Sequence, residues 1–149
     1  MSIEIREFSG CSDELVDIIH LLDGKIFDEP YSREKIEREA SVKHKLIGLV
    51  AYEDDDPVGY KVGYELKSSL FYSWLGGVLP AYRNQGIASV LMQRQHVIIA
   101  DMGYKVVRTH THNKFREMLI LNIRFGFDVV GVMKESANPD ATIVLDKLL

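Results

Sequence analysis

Three apolar stretches, residues 45–53, 58–66 and 70–78, follow one another with only short polar breaks between them. Asp54-Asp55-Asp56-Pro57 reads as the first turn, and a few polar residues separate the second stretch from the third. Strands joined by connections this short form an antiparallel meander, because a parallel return needs a long crossover. Pro80 stops the third strand, since proline has no N–H to give to a ladder. Whatever else the chain does, it is built around this sheet.

On either side the hydrophobic period changes. Ile3 and Ile5 alternate with Glu4 and Arg6 as in a half-buried strand that reaches Phe8. Ser12-Asp13 offers an N-cap for a helix carrying Leu15, Val16, Ile18, Ile19 and Leu22 on one face. Ser32-Arg33-Glu34-Lys35 opens a second, charged helix ending near Ser41. After the meander, residues 85–102 read as a helix with Ile87, Leu91, Gln95 and Ile98 in a stripe, widened by Ala88, Met92 and Ile99, and Gly103 as its C′ residue. Residues 104–111 read as a strand, 114–125 as a helix closed by Gly126, and 127–133 and 142–145 as strands. The order β-α-α-β-β-β-α-β-α-β-β predicts an α/β (α+β) domain, 1–149, with one mixed, mostly antiparallel sheet of about seven strands and about four helices on its faces.

Composition narrows the class. The 149 residues contain 18 basic and 22 acidic side chains, a net charge of −4, which argues against nonspecific binding to nucleic acid or to a membrane surface. Cys11 is the single cysteine, so no internal disulfide and no zinc spacing is expected. The charged, alternating N-terminus is unlike a signal peptide, and no apolar run approaches the ~18–20 residues of a membrane helix. A cytoplasmic location is expected.

Chemistry concentrates between Gly77 and Ala88, in the segment Gly77-Val78-Leu79-Pro80-Ala81-Tyr82-Arg83-Asn84-Gln85-Gly86-Ile87-Ala88. A strand ends, a short loop follows and a long helix begins. The first N–H groups of a helix have no internal partner and, with the helix dipole, favour an anion. Gly86 lacks the Cβ that would keep a phosphate from this backbone, Ala88 keeps the next turn narrow, and Arg83 adds a permanent cation. The geometry suits a pyrophosphate. Neither the Gly-Lys-Ser/Thr of a P-loop nor the three glycines of a dinucleotide fingerprint is present.

Arg83-Asn84-Gln85-Gly86-Ile87-Ala88 resembles the Gln/Arg-x-x-Gly-x-Gly/Ala signature of GNAT-type N-acetyltransferases, which hold acetyl-coenzyme A. Val78-Leu79-Pro80 with Arg83 is similar to that family's strand end, and the run from Met118 to Phe127 resembles its Met-x-x-Leu-x-x-x-x-Gly-Phe segment. The resemblance implies a sheet whose fourth and fifth strands splay apart at a bulge, with pantetheine lying in the opening. It implies that Val78 pairs with the pantetheine through its backbone, that Arg83, Asn84, Gln85, Gly86, Ile87 and Ala88 cradle the pyrophosphate, and that Asn113, at the start of the following helix, with Asn122 and Phe125 lines the other side. Gly76-Gly77 marks either this splay or a plain bend.

The match departs at one position. Many relatives carry a tyrosine four residues before the glycine of Gly-Phe, which protonates the departing thiolate; here it is Asn122, which cannot act as a general acid. His110 and His112 lie two apart near the end of the fifth strand and are the candidate proton relay. Both also fit a role as partly solvated strand-end residues. Tyr72, Ser73, Tyr64 and Glu65 fit either the acceptor groove or the sheet surface, and Trp74 reads as core. No third ligand accompanies the histidines, so no metal is expected. In the first two helices Asp23, Asp28, Glu29, Glu34, Glu37 and Glu39 outnumber Lys25, Arg33, Lys35 and Arg38, a balance that fits a cationic amine or an ordinary exposed helix. The expected function is transfer of an acetyl group from acetyl-CoA, the co-substrate, to a primary amine by direct attack in a ternary complex; the alternative is a non-catalytic acyl-CoA-binding or sensing module. The expected partner is a small-molecule or peptide amine acceptor, with a homodimer as an option.

Overall fold

The computed structural model describes residues 2–134 and 140–149. Its elements are β1 (Ile3–Ser9), α1 (Asp13–Ile26), α2 (Arg33–Ser41), β2 (His44–Glu53), β3 (Asp56–Lys67), β4 (Leu70–Val78), α3 (Ile87–Asp101), β5 (Val106–His112), α4 (Arg116–Arg124), β6 (Asp128–Met133) and β7 (Thr142–Leu148), with a short 3-10 turn at Pro80–Tyr82. The strands form one sheet in the order β1-β2-β3-β4-β5-β7-β6. Every neighbouring pair is antiparallel except β4 and β5, which are parallel. This is the mixed sheet with four flanking helices expected from the sequence.

The helices start where short side chains can cap them. The N–H of Leu15 donates to Ser12 Oγ at 3.2 Å and that of Lys35 to Ser32 Oγ at 3.2 Å. α1 and α2 cover one face of the sheet, packing Leu15, Val16, Ile19, Leu22, Ile36 and Ala40 on Val50, Tyr60 and Val62. α3 and the inner side of α4 cover the other face, where Leu91 meets Leu49 and Ala51, and Met92 and Ile99 meet Phe71 and Val107. On the first face the Tyr60 hydroxyl donates to buried Asp23 Oδ1 at 2.6 Å, which ties α1 to β3.

Several boundaries differ from the sequence reading. The turn after β2 is only Asp54-Asp55: Asp56 pairs with Glu53 and Pro57 with Tyr52, and Asp54 takes φ 55°, a left-handed conformation that lets two residues close the hairpin. α3 begins at Ile87 rather than 85, because Gly86 itself is left-handed (φ 80°) and ends the loop. Tyr104 lies before β5, and β7 runs on to Leu148. Among the described residues no helix is long and apolar enough to cross a membrane.

Candidate active site

The sheet forks between β4 and β5. Leu70 to Ser73 pair with Val106 to Thr109, and there the ladder stops, although β4 continues to Val78 and β5 to His112. The Thr109 hydroxyl donates to the Ser73 carbonyl at 3.3 Å, the last tie across the fork. On its other edge β4 shifts register: Ser73 lies opposite Gly63, but Leu75 lies opposite Val62, leaving Trp74 as an extra residue. A bulge bends its strand and sharpens the local twist, which turns the rest of β4 away from β5. The splay is therefore set at Trp74, two residues earlier than Gly76-Gly77.

Beyond the fork the chain builds an anion seat. The 3-10 turn is pinned by the Tyr82 hydroxyl donating to Glu53 Oε1 at 3.0 Å. Arg83 Nε donates to the Val78 carbonyl at 3.3 Å and Gln85 Nε2 to the Ala81 carbonyl at 3.3 Å. Asn84 and Gly86 both take positive φ, 61° and 80°, a folding of the backbone that gathers N–H groups into a concavity. Unlike α1 and α2, α3 has no side-chain cap, and its first turn closes only with the Val90 N–H on the Gly86 carbonyl at 3.0 Å. The N–H groups of Ile87, Ala88 and Ser89 are left for an incoming acceptor. A Cβ built on Gly86 meets nothing within 4 Å, so a side chain there would project into the open space facing this helix end. These features fit a pyrophosphate.

The remaining residues named for the cofactor are spread along the far arm of the fork. Asn113 sits in the turn between β5 and α4 rather than on the helix, because the Phe115 N–H bonds back to the His112 carbonyl and α4 starts only at Arg116. Asn122 is buried, the one side chain α4 buries fully, and Phe125 is half-buried at the helix end.

On the face of α1 and α2 lies an open cleft of about 470 Å³, lined by Tyr64, Tyr72, Trp74, Arg108, His110 and Met133 among others. Tyr64 stands edge-on to both Tyr72 and Trp74 at 5.4 and 5.6 Å. Lys43 places its ammonium over the Tyr64 and Trp74 rings. Trp74 is thus both things at once, partly buried against the core under α1 and α2 and a wall of the cleft, on the same face of β4 as Tyr72. Ser73 and Glu65 point elsewhere: Ser73 is buried, and Glu65 accepts from Tyr104 Oη at 3.0 Å. Arg108 is held by Asp146 through two bonds of 2.8 and 3.0 Å.

The two histidines part company. His110 opens into the cleft at the mouth of the fork, its ring 4.9 Å from that of Tyr72. Burial, and then the Arg108 charge, hold its pKa below the ordinary histidine value. Burial pushes the Tyr72 phenol up to about 12, so this pair is a neutral imidazole beside a neutral phenol. His112 faces the β6–β7 side instead, with Nδ1 3.3 Å from the Ala141 carbonyl and 3.8 Å from Asp140. Of the acidic residues counted in the first helices, Glu37 pairs with Arg33, which also binds Asp13 and Asp17, and Asp23 is buried.

The sequence alone leaves Tyr64 and Tyr72 undecided, reads Trp74 only as core and passes over Lys43. The parity of Tyr64 with Leu66, of Tyr72 with Trp74 and of Arg108 with His110 was the available signal.

Comparison with known proteins follows this geometry. The family model of the acetyltransferase (GNAT) domain matches residues 44–129, more than half of the chain. The chain belongs to the GNAT acetyltransferase family. Solved structures share its fold at low identity. The ribosomal-protein-S18-alanine N-acetyltransferase of Escherichia coli matches with a TM-score of 0.83 at 9% identity, over 99% of this chain and 94% of that one. A GNAT acetyltransferase from Elizabethkingia anophelis with acetyl-CoA bound matches at 0.76 and 20%, over 99% and 98%. Arabidopsis thaliana Naa50 in complex with the bisubstrate analogue CoA-Ac-MVNAL matches at 0.77 and 21%, over 99% of both chains. No curated protein sequence matches the chain at a significant level.

Proposed function

We propose that the protein transfers an acetyl group from acetyl-CoA to a primary amine, the amine attacking the thioester directly while both substrates are bound. The observation that carries this reading is the fork. On one face it adjoins an uncapped helix end suited to a pyrophosphate, and on the other a cleft holding a neutral imidazole. Beyond Ser73 the β5 side of β4 has no partner strand and offers backbone groups to pantetheine as a strand edge would, Val78 among them once pantetheine replaces Arg83 Nε at its carbonyl. Arg83, Asn84, Gln85, Gly86, Ile87 and Ala88 hold the phosphates, and Asn113, Asn122 and Phe125 flank the arm from the side of α4.

His110 is the base. Only a neutral imidazole can take the amine proton, and its depressed pKa keeps it neutral near pH 7. Tyr72, un-ionised at that pH, is placed to orient the imidazole or the amine by a hydrogen bond. An N–H of the splayed strand polarises the thioester carbonyl. The Naa50 structure holds coenzyme A joined through acetyl to a peptide, and a peptide amine fits a cleft walled by aromatic rings better than a polycation does, since Lys43 and Arg108 already bring positive charge. His112, held against the Ala141 carbonyl, takes no part in the proton transfer.

A panel of peptide and small-molecule amines tests the proposal through release of free thiol from acetyl-CoA. Amine-dependent release is expected, strongest for amines carrying an apolar or aromatic neighbour. Tight coenzyme A binding with no release for any amine would favour the non-catalytic acyl-CoA-binding reading.

A further inference from the structure

Beneath α3 lies a cation that nothing above has used. Lys61 stands on β3 between Leu49 of β2 and Gly76 of β4. It faces α3, as Gly59 two residues earlier does, where a Cβ would touch Ile87 at 3.4 Å. A Cβ on Gly76 would lie 3.8 Å from Lys61 Cγ, so the lysine runs beside the splayed half of β4, in room that a larger residue at position 76 would take.

Among the described residues no counter-charge acts on it. The side chain is deep enough that burial alone pulls its pKa down to about 8. The titratable groups bearing on this region from the packed elements are His96 of α3 and Lys147 of β7, with Lys147 Nζ 3.2 Å from His96 Nδ1. Both are basic, and His96 is driven down to about 3 by burial, Lys147 and Lys61 together. Gln95, only 1% exposed, leaves both amide atoms without a partner, and His96 Nε2 is also unpartnered. Yet Lys61 is not sealed: the residue as a whole is only partly buried. An ammonium held this way is costly unless an anion arrives from outside.

The reaction generates one. Resting on the acetyl-transfer reading, we propose that Lys61 is the acid for the leaving group, its ammonium meeting the sulfur of coenzyme A at the splayed half of β4. The amine nitrogen forms its bond to the acetyl carbon and the carbon–sulfur bond breaks, its electron pair going to sulfur. Lys61 gives its proton to that sulfur, and the amine proton goes to His110 on the opposite face. Each group then exchanges its proton with water as products leave. This answers the loss of an acid at Asn122.

The test is a titration of coenzyme A bound to the full chain, read by the ultraviolet absorbance of its thiolate, in wild type, Lys61→Met and Lys61→Arg. In wild type the bound thiol ionises below the ~8.5 typical of a free thiol. Lys61→Met returns it to that value or above and lowers kcat by about 10²-fold or more, with the KM for acetyl-CoA changed only a few-fold. Lys61→Arg keeps the low thiol pKa but not the turnover, because a guanidinium supplies charge and no proton; it also carries the test should the methionine variant fail to fold. The wild-type rate falls as pH rises through about 8, and that limb is missing from both variants. Equal thiol pKa values in wild type and Lys61→Met, with coenzyme A still bound, would overturn the assignment. Failure of wild type to bind coenzyme A would instead remove the acetyl-transfer reading beneath it.

Discussion

β4 behaves as two strands in one. From Leu70 to Ser73 it is paired on both edges, to β3 and β5, and Leu70, Phe71 and Ser73 are buried. From Trp74 to Val78 it is paired to β3 alone, and none of its five residues is fully buried. One inserted residue separates the halves. The zipped half gives its backbone groups and side chains to folding, whereas the splayed half leaves one edge of its backbone out of the ladder. An open edge inside a sheet is unfavourable by itself, and the proposed function gives this one a use as the strand edge that meets pantetheine.

The largest effect expected from breaking this comparison is on chemistry at the mouth of the fork. His110→Asn should lower turnover by about 10²–10⁴-fold and remove the acidic limb of the pH profile. That limb lies below the ordinary histidine pKa of 6.5, since the imidazole must be neutral to accept a proton and its pKa is depressed. His112→Asn should leave turnover within a few-fold of wild type; steady-state rates across pH check both. In the zipped half, Phe71→Ala removes a ring with no exposed surface and should destabilise the protein by about 3–5 kcal/mol in chemical denaturation. Coenzyme A should still stabilise the variant below its melting temperature.

How far the sequence reaches follows the same division. The meander, the serine caps of α1 and α2 and the glycine ahead of α3 were legible because each is a local signal with a local cause. The bulge at Trp74 was not, because an inserted residue leaves apolar residues on both sides of it and the alternation looks unbroken. The cleft was hidden for another reason: Tyr64, Tyr72, His110 and Met133 come from four strands, and only the sheet order brings them together. Lys61 was passed over because a lysine inside an apolar strand reads as a solvent-facing residue until α3 is seen to cover it.

Smaller effects sharpen the comparison on the cofactor side. Arg83→Ala should weaken coenzyme A binding by about 1–2 kcal/mol, as for one charge-assisted contact, measured by calorimetry; a smaller loss means that the backbone N–H groups of α3 dominate. Asn122→Ala should have the least effect on turnover. It should alter coenzyme A affinity and leave the shape of the pH profile unchanged, since an amide side chain does not titrate.

Amide hydrogen exchange with and without coenzyme A tests most directly whether coenzyme A binds, as proposed, along the splayed half of β4. New protection is expected between Trp74 and Val78 and from Gly86 to Ser89, with none added between Leu70 and Ser73, whose amides are already locked in the ladder. In Gly86→Glu, where a carboxylate fills the space before α3, that protection and the thermal shift caused by coenzyme A should both disappear. Coenzyme A that binds tightly and leaves the amides from Trp74 to Val78 exchanging as before, or that stabilises Gly86→Glu as much as wild type, would contradict that proposal.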